Sequence, residues 1–364
     1  MGIMERTDFK QDCLIVLGMH RSGTSAIARV VNILGAEIGD NLISAAPDNP
    51  KGYWEHREVL RLHDKALKEM GSIWDGVTPL PSGWWHKPES VIIRSELIDA
   101  MRRSFGGSKL WVLKEPRMCR LLKLWHPIFS ELNCKAHFII VFRNPMAVAA
   151  SLGKRNGLPV NKSLLLWLYH ILESEEDTRG YPRVFVSFEE FLRDWKTTVK
   201  RLSSQLQITW PVSYSDAQSD IEEFLDSRLL HYDCSEGLLS SDLDLSQYIS
   251  LVYRALIVAQ NSEADINAEA FAVVSENLHK ELQHFITTAL VEEAQFRLAK
   301  IYKLRERLER SHKQQYKTRA ELSRCNSQLE DILNSKSWKL TEPLRKIGSF
   351  CLGRKLPPKK KKTG

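Results

Sequence analysis

Between Cys13 and Leu34 the chain reads as a buried strand, a turn bounded by glycines and then a helix, and no other stretch restricts the fold as strongly. Leu14 to Leu17 is short, apolar and partly β-branched, which suits a strand covered on both faces. Ile27, Val30, Val31 and Leu34 then recur at helical spacing. The turn between them, Gly18-Met-His-Arg-Ser-Gly-Thr-Ser25, has glycines where a backbone must come close to an anion. The amides of Gly23, Thr24 and Ser25 would open a helix and point at that anion, with the helix dipole adding to the attraction.

Further short apolar runs alternate with helical patterns: Lys109 to Leu113, Ala136 to Phe142 and Arg183 to Ser187. This alternation predicts an α/β fold with a P-loop-type parallel sheet flanked by helices. Ligands of such sheets sit at the carboxyl ends of the strands, and here each strand end is polar or charged. The first gives the glycine turn, the next Lys114-Glu-Pro-Arg117, the third Arg143-Asn-Pro145 and the fourth Phe188-Glu-Glu190. From Asp216 to Glu293 the pattern is helical, with breaks near Gly237 and Asn261.

A nucleotide-hydrolysing phosphate loop carries Lys after its last glycine, and Thr24 stands there instead. The positive charge has moved forward to Arg21, whose fork can grip two oxygens of a phosphate or sulfate without a metal. In Arg21-Ser-Gly-Thr-Ser25 the chain resembles the sulfotransferases that use 3′-phosphoadenosine-5′-phosphosulfate (PAPS), in particular their tyrosylprotein and bacterial carbohydrate branches. The resemblance spans about the first 200 to 230 residues.

What it implies can be set out residue by residue. Arg21, Ser22, Gly23, Thr24 and Ser25 would bind the 5′-phosphosulfate, and Arg21 would also act in catalysis. Arg143, with Ser151 eight residues further along the next helix, is similar to the family's 3′-phosphate motif. Lys114, in a Lys-Glu-Pro-Arg version of the family's Lys-Asp-Pro, would neutralise charge on the bridging oxygen, while the role of Glu115 stays open. Glu55, in Gly52-Tyr-Trp-Glu55, is the candidate base; His56 beside it and a plain salt bridge from Glu55 to Arg57 or Arg61 are the alternatives. Phe188 would pack either on adenine or in the core. PAPS is the expected donor, no metal is expected, and a carbohydrate or other hydroxyl is the expected acceptor. Trp74, Trp84 and Trp85 either line a sugar cleft or form the small core of a lid. A kinase or nucleotide hydrolase, with Glu115 as metal ligand, and a non-catalytic scaffold of a polysaccharide-assembly complex are the rival readings.

Charge divides the chain. Residues 291–364 hold 20 Lys and Arg against 8 Asp and Glu, a net +12, so residues 1–290 carry −5 of the overall +7. Nucleic-acid binding is therefore not expected of the body, and the basic tail lacks interleaved aromatics. The expected divisions are a sulfotransferase-like domain over 1–290, a long helix or coiled coil over 291–340 and a basic tail over 341–364. Ile301, Leu304, Leu308, Leu322, Leu329 and Ile332 share one heptad frame, with Ser311, Gln315 and Thr318 also in core positions. Self-association or a partner helix is expected there, and weak contact with anionic lipid at Lys359 to Lys362. Ser335-x-Ser-Trp-Lys-x-Thr-x-Pro-Leu-Arg345 resembles a segment at the ends of bacterial surface-polysaccharide glycosyltransferases and methyltransferases. Six widely spaced cysteines without a C-x-x-C pair, no evident signal segment and no apolar run of about 18 residues give the expectation of a cytoplasmic protein, at most peripheral to the inner face of the membrane.

Overall fold

A computed structural model of the chain describes residues 10–46, 49–225, 245–260 and 268–345. Among these, four strands form one sheet: β1 (Gln11–Leu17), β2 (Leu110–Lys114), β3 (Cys134–Phe142) and β4 (Arg183–Ser187), in the order β2-β1-β3-β4. All pairings are parallel, with Leu14 opposite both Val112 and His137, and Ile140 opposite Phe185. The fold is thus the α/β class read from the sequence. Each strand occupies the predicted stretch, β1 and β3 beginning two or three residues earlier.

Alternate residues of each strand enter separate cores, as the two-residue period requires. Cys13, Ile15, Leu17, Trp111, Leu113, Phe138, Ile140, Phe142 and Phe185 belong to the larger cluster. It is closed by α2 (Arg57–Glu69), α3 (Pro88–Phe105), α4 (Met118–Glu131), α6 (Val160–Asp177) and α10 (Leu245–Ala259). Leu14, Val16, Val112, Ile139, Val141, Val184 and Val186 enter the smaller one, under α1 (Thr24–Ile33), α8 (Trp195–Leu206) and α9 (Tyr214–Phe224). Burial on both faces explains why these strands are nearly continuous in apolar residues. The expected breaks at Gly237 and Asn261 lie outside the described residues.

The chain divides into two units, Met1–Ala294 and Gln295–Gly364. The 67-residue helix α11 (Ala268–Asn334) contributes to both. In the first unit its Glu293 joins a buried ion triad, 2.7 Å from Lys162 Nζ, which also lies 2.9 Å from Asp75. Asn161 donates to Glu292 at 2.6 Å. In the second unit α11 is followed by α12 (Lys336–Leu340). There the residues of the Ser335–Arg345 segment act on one another. Ser335 caps the helix at Trp338 N–H, Thr341 donates to Ser337 O at 2.9 Å, and the Arg345 guanidinium lies 3.5 Å from the Trp338 ring centre. The Lys359 to Lys362 run is outside the described residues.

Candidate active site

The four strand ends converge as parallel topology requires. β1 passes into the loop 18–23, where Gly18 has φ 143°, Arg21 φ 72° and Gly23 φ 91°. Gly18 must be glycine, since a Cβ would sit 2.3 Å from the Val141 carbonyl oxygen. Its N–H donates to Cys119 Sγ at 3.1 Å, so a buried thiol on α4 shapes the loop. Burial pushes that thiol up to about 12, so Cys119 stays protonated and serves as packing rather than as a nucleophile. Gly23 N-caps α1, whose first internal bond runs from Ala26 N–H to Gly23 O at 3.0 Å. The amides ahead of it are the orphan donors of a helix start. Ser22 Oγ is buried and makes no hydrogen bond among the described residues. An anion with several acceptor oxygens fits a loop furnished in this way.

β3 ends at Arg143, and Asn144 caps the helix α5 (Pro145–Asn156) by accepting from Met146 and Ala147 N–H. Ser151 lies two turns along α5. Arg21 Nε donates to Ser151 Oγ at 2.9 Å, and Arg143 Nη1 to the Arg21 carbonyl at 3.3 Å. The glycine loop and the Arg143–Ser151 pair are therefore joined into one hydrogen-bonded unit. Phe188, which begins α7 (Phe188–Arg193) at the end of β4, is buried. Its ring fills the space beside Gly23 and lies 5.3 Å under the Arg143 guanidinium. Glu189 accepts from Asn144 N–H at 3.0 Å and sits 3.9 Å from Arg143 Nε, fixing the two strand ends together.

Lys114, the last residue of β2, is 3% exposed. Its ammonium reaches Tyr53 O at 3.2 Å and Ser25 Oγ at 3.3 Å, and forms an ion pair with Glu55, itself 5% exposed. Glu55 is held from its backbone: its carbonyl accepts from Ile43 N–H at 2.9 Å, and Arg57 N–H donates to Asn41 O at 2.8 Å. This short antiparallel bridge carries Tyr53 to Glu55 across the loop. The alternative salt bridge from Glu55 to Arg57 or Arg61 is not formed. Arg57 donates to Leu42 O, and Arg61 faces Glu58 and Glu96. His56 is occupied elsewhere: Nδ1 accepts from Val59 N–H, capping α2, and Nε2 lies 2.9 Å from Ser104 Oγ. Burial holds its pKa below the usual histidine value.

Glu115, left open by the sequence, is fully buried beneath the site and bonds His63 on one oxygen and Arg117 Nη1 on the other, the latter at 2.5 Å. Trp125 Nε1–H donates to His63 Nε2 at 2.8 Å. An indole N–H can only donate, so His63 is neutral and gives its Nδ1–H to Glu115. Burial opposes ionisation of Glu115, yet Arg117 and the His63 donor outweigh it and hold the carboxyl well below the usual range. Arg117 in turn binds Asp64 at 2.7 Å. With both oxygens taken, Glu115 ties β2 to α2 rather than facing a metal. Of the tryptophans, Trp84 is buried in the larger core with Trp85 edge-on at 6.0 Å, while Trp74 stands edge-on to His20 of the glycine loop at 5.0 Å. Trp84 and Trp85 therefore belong to the larger core of the sheet and form neither a sugar cleft nor a separate lid core, and Trp74 borders the glycine loop.

His170 on α6 is buried beneath this network, its Nδ1–H donating to Leu166 O at 2.8 Å. Burial, then Arg120, lowers its pKa to about 3. The unfolded chain takes up a proton near pH 6.5 that the folded chain refuses, so His170 stability is intact above pH 6.5 and lost as pH falls toward 3. Between pH 6.5 and 5 the loss amounts to about 2 kcal/mol. His170→Phe should therefore lose about 2 kcal/mol less than the wild type over this interval in urea unfolding. An identical loss would show that His170 is not the titrating group.

No protein-family model matches the chain, and no curated protein matches it. Among solved structures it is similar to the sulfotransferase domain from the Synechococcus PCC 7002 olefin synthase, with 16% identity, a TM-score of 0.40 and coverage of 70% of this chain and 98% of that one. A second similar structure is the sulfotransferase domain from the curacin biosynthetic pathway, with 14% identity, a TM-score of 0.37 and coverage of 67% and 98%.

Proposed function

We propose that the chain is a PAPS-dependent sulfotransferase that transfers a sulfuryl group to a hydroxyl, with a carbohydrate as the acceptor class. The observation that carries this reading is the joining of the anion loop to the Arg143–Ser151 pair through the Arg21–Ser151 hydrogen bond, beside a buried Lys114–Glu55 pair. Bound PAPS supplies the activated sulfuryl group. The loop amides and Arg21 hold its 5′ end, and Arg143 with Ser151 holds the 3′-phosphate. Lys114 meets the charge that grows on the bridging oxygen, and Glu55 takes the proton of the acceptor hydroxyl. Lys114 and Glu55 cannot do this while paired with each other. Donor oxygens drawing Lys114 away would release the carboxylate, so the donor binds before the acceptor. Trp74 at the edge of the site suits a pyranose face, and the Ser335–Arg345 resemblance suits a surface-polysaccharide pathway.

The decisive experiment is calorimetric titration with 3′-phosphoadenosine 5′-phosphate, compared with ATP and Mg²⁺. Tight, metal-independent binding of the bisphosphate is expected; preference for ATP with Mg²⁺ would overturn the reading. Arg143→Ala should weaken the bisphosphate by about 10- to 100-fold, the worth of a charge-assisted hydrogen bond, and leave adenosine 5′-phosphate nearly unaffected. Equal losses for both would remove Arg143 from the 3′ site.

A further inference from the structure

Every residue of α11 from Gln295 to Asn334 is exposed, including a row of large apolar side chains. Ile301, Leu304, Leu308, Leu322, Leu329 and Ile332 are 53–60% exposed. A helix of 40 residues is about 60 Å long. With an apolar seam and no core of its own, its stability comes from whatever covers that seam.

We infer that residues 301–332 pair with the same segment of a second copy of this chain, as a parallel, in-register two-stranded coiled coil. With Ile301 at a and Leu304 at d, the seam continues Leu308, Ser311, Gln315, Thr318, Leu322, Cys325, Leu329 and Ile332. In the in-register parallel pair each core residue meets its own copy. The six layers of leucine and isoleucine and the Cys325 layer are apolar on apolar. Ser311, Gln315 and Thr318 meet partners able to hydrogen-bond. Sliding one heptad sets Gln315 against Leu308 or Leu322, and an antiparallel pairing about the seam's centre sets Ser311 against Leu322 twice. Either leaves a polar group buried against hydrocarbon. Gln315 at an a position therefore pins the register, as buried amides do in such seams. The flanking charges lean the other way, since Lys300 at g faces the second copy's Arg305 at e, whereas an antiparallel pair would bring Arg307 to Glu321. Rim pairs in water contribute less than core layers, so the core decides.

Cys325, exposed and at a d position, turns this into a sharp test. Only the parallel, in-register pair sets two Cys325 side chains in one layer. The full chain with Cys234→Ser and Cys351→Ser leaves Cys325 as the exposed thiol, since Cys13, Cys119 and Cys134 are buried. Treated with diamide, two Cys325 thiols give up their hydrogens to form one S–S bond, and diamide is reduced to the hydrazine. The expected result is a two-chain mass by light scattering before oxidation and a linked dimer on a non-reducing gel after it. Cys325→Ser should keep the mass and lose the link. Moving the thiol to the outer face, Ser327→Cys with Cys325→Ser, should link at least tenfold more slowly. A one-chain mass would overturn the proposal, and so would a dimer in which Cys325 does not link or Ser327→Cys links equally fast.

Discussion

Lys114→Met is expected to lower turnover with PAPS by about 10²- to 10³-fold, the usual loss when one group that meets transition-state charge is removed. Donor affinity should change far less, because the loop and Arg143 remain. The substitution also leaves Glu55 buried without its cation, and breaking a buried pair costs about 3–5 kcal/mol. A fall in activity alone could then reflect loss of fold. The double variant Lys114→Met with Glu55→Gln separates the two effects, since no uncompensated charge remains. It should recover most of the lost thermal stability and none of the lost turnover. If the double variant recovered turnover as well, the pair would be a structural staple and Lys114 would leave the mechanism. Glu55→Gln alone should also turn over slowly, with the strongest effect on acceptors of high hydroxyl pKa, since a proton acceptor matters most there.

The sheet was legible because strands buried on both faces are written as unbroken apolar runs, and Leu14–Leu17 or Phe138–Phe142 admit few other readings. That Arg21, Arg143 and Lys114 come to one edge was legible because they end or follow strands of a parallel sheet, with Ser151 two turns along the helix after Arg143. The partners of these residues were not. That Glu55 would choose Lys114, 59 residues away, over nearby Arg57 or Arg61 depends on the bridge between Asn41–Ile43 and Glu55–Arg57, which no local pattern announces. The same holds for Cys119 under Gly18 and for the Glu115–His63–Trp125 chain, where each residue taken singly has an ordinary composition and only the packing of α2 against α4 gives it a task. Glu115, whose role the sequence leaves open, is completely buried and bonded on both oxygens, which makes it a support. Phe188 was read as adenine-facing or core, and it fills the space behind the loop.

Gly23→Ala is the substitution expected to damage donor binding most, because the Phe188 ring touches Gly23 and also lies against Arg143. At φ 91° an added Cβ is strained by about 1–3 kcal/mol whatever surrounds it. It would also lie 2.0 Å from Phe188 Cδ2, so the ring must move, and the Arg143 guanidinium lies 5.3 Å from the centre of that ring. One methyl group should thus disturb the 5′ loop and the 3′ site together. Affinity for 3′-phosphoadenosine 5′-phosphate is expected to fall more than about 100-fold, and adenosine 5′-phosphate, nearly indifferent to Arg143→Ala, should be weakened as well. Adding Phe188→Leu frees the space without relaxing φ, so recovery should be partial. Ser22→Ala in the same loop removes one hydroxyl and no backbone freedom, and its loss should stay within about tenfold. Binding by Gly23→Ala within threefold of the wild type would mean that the loop does not hold the donor.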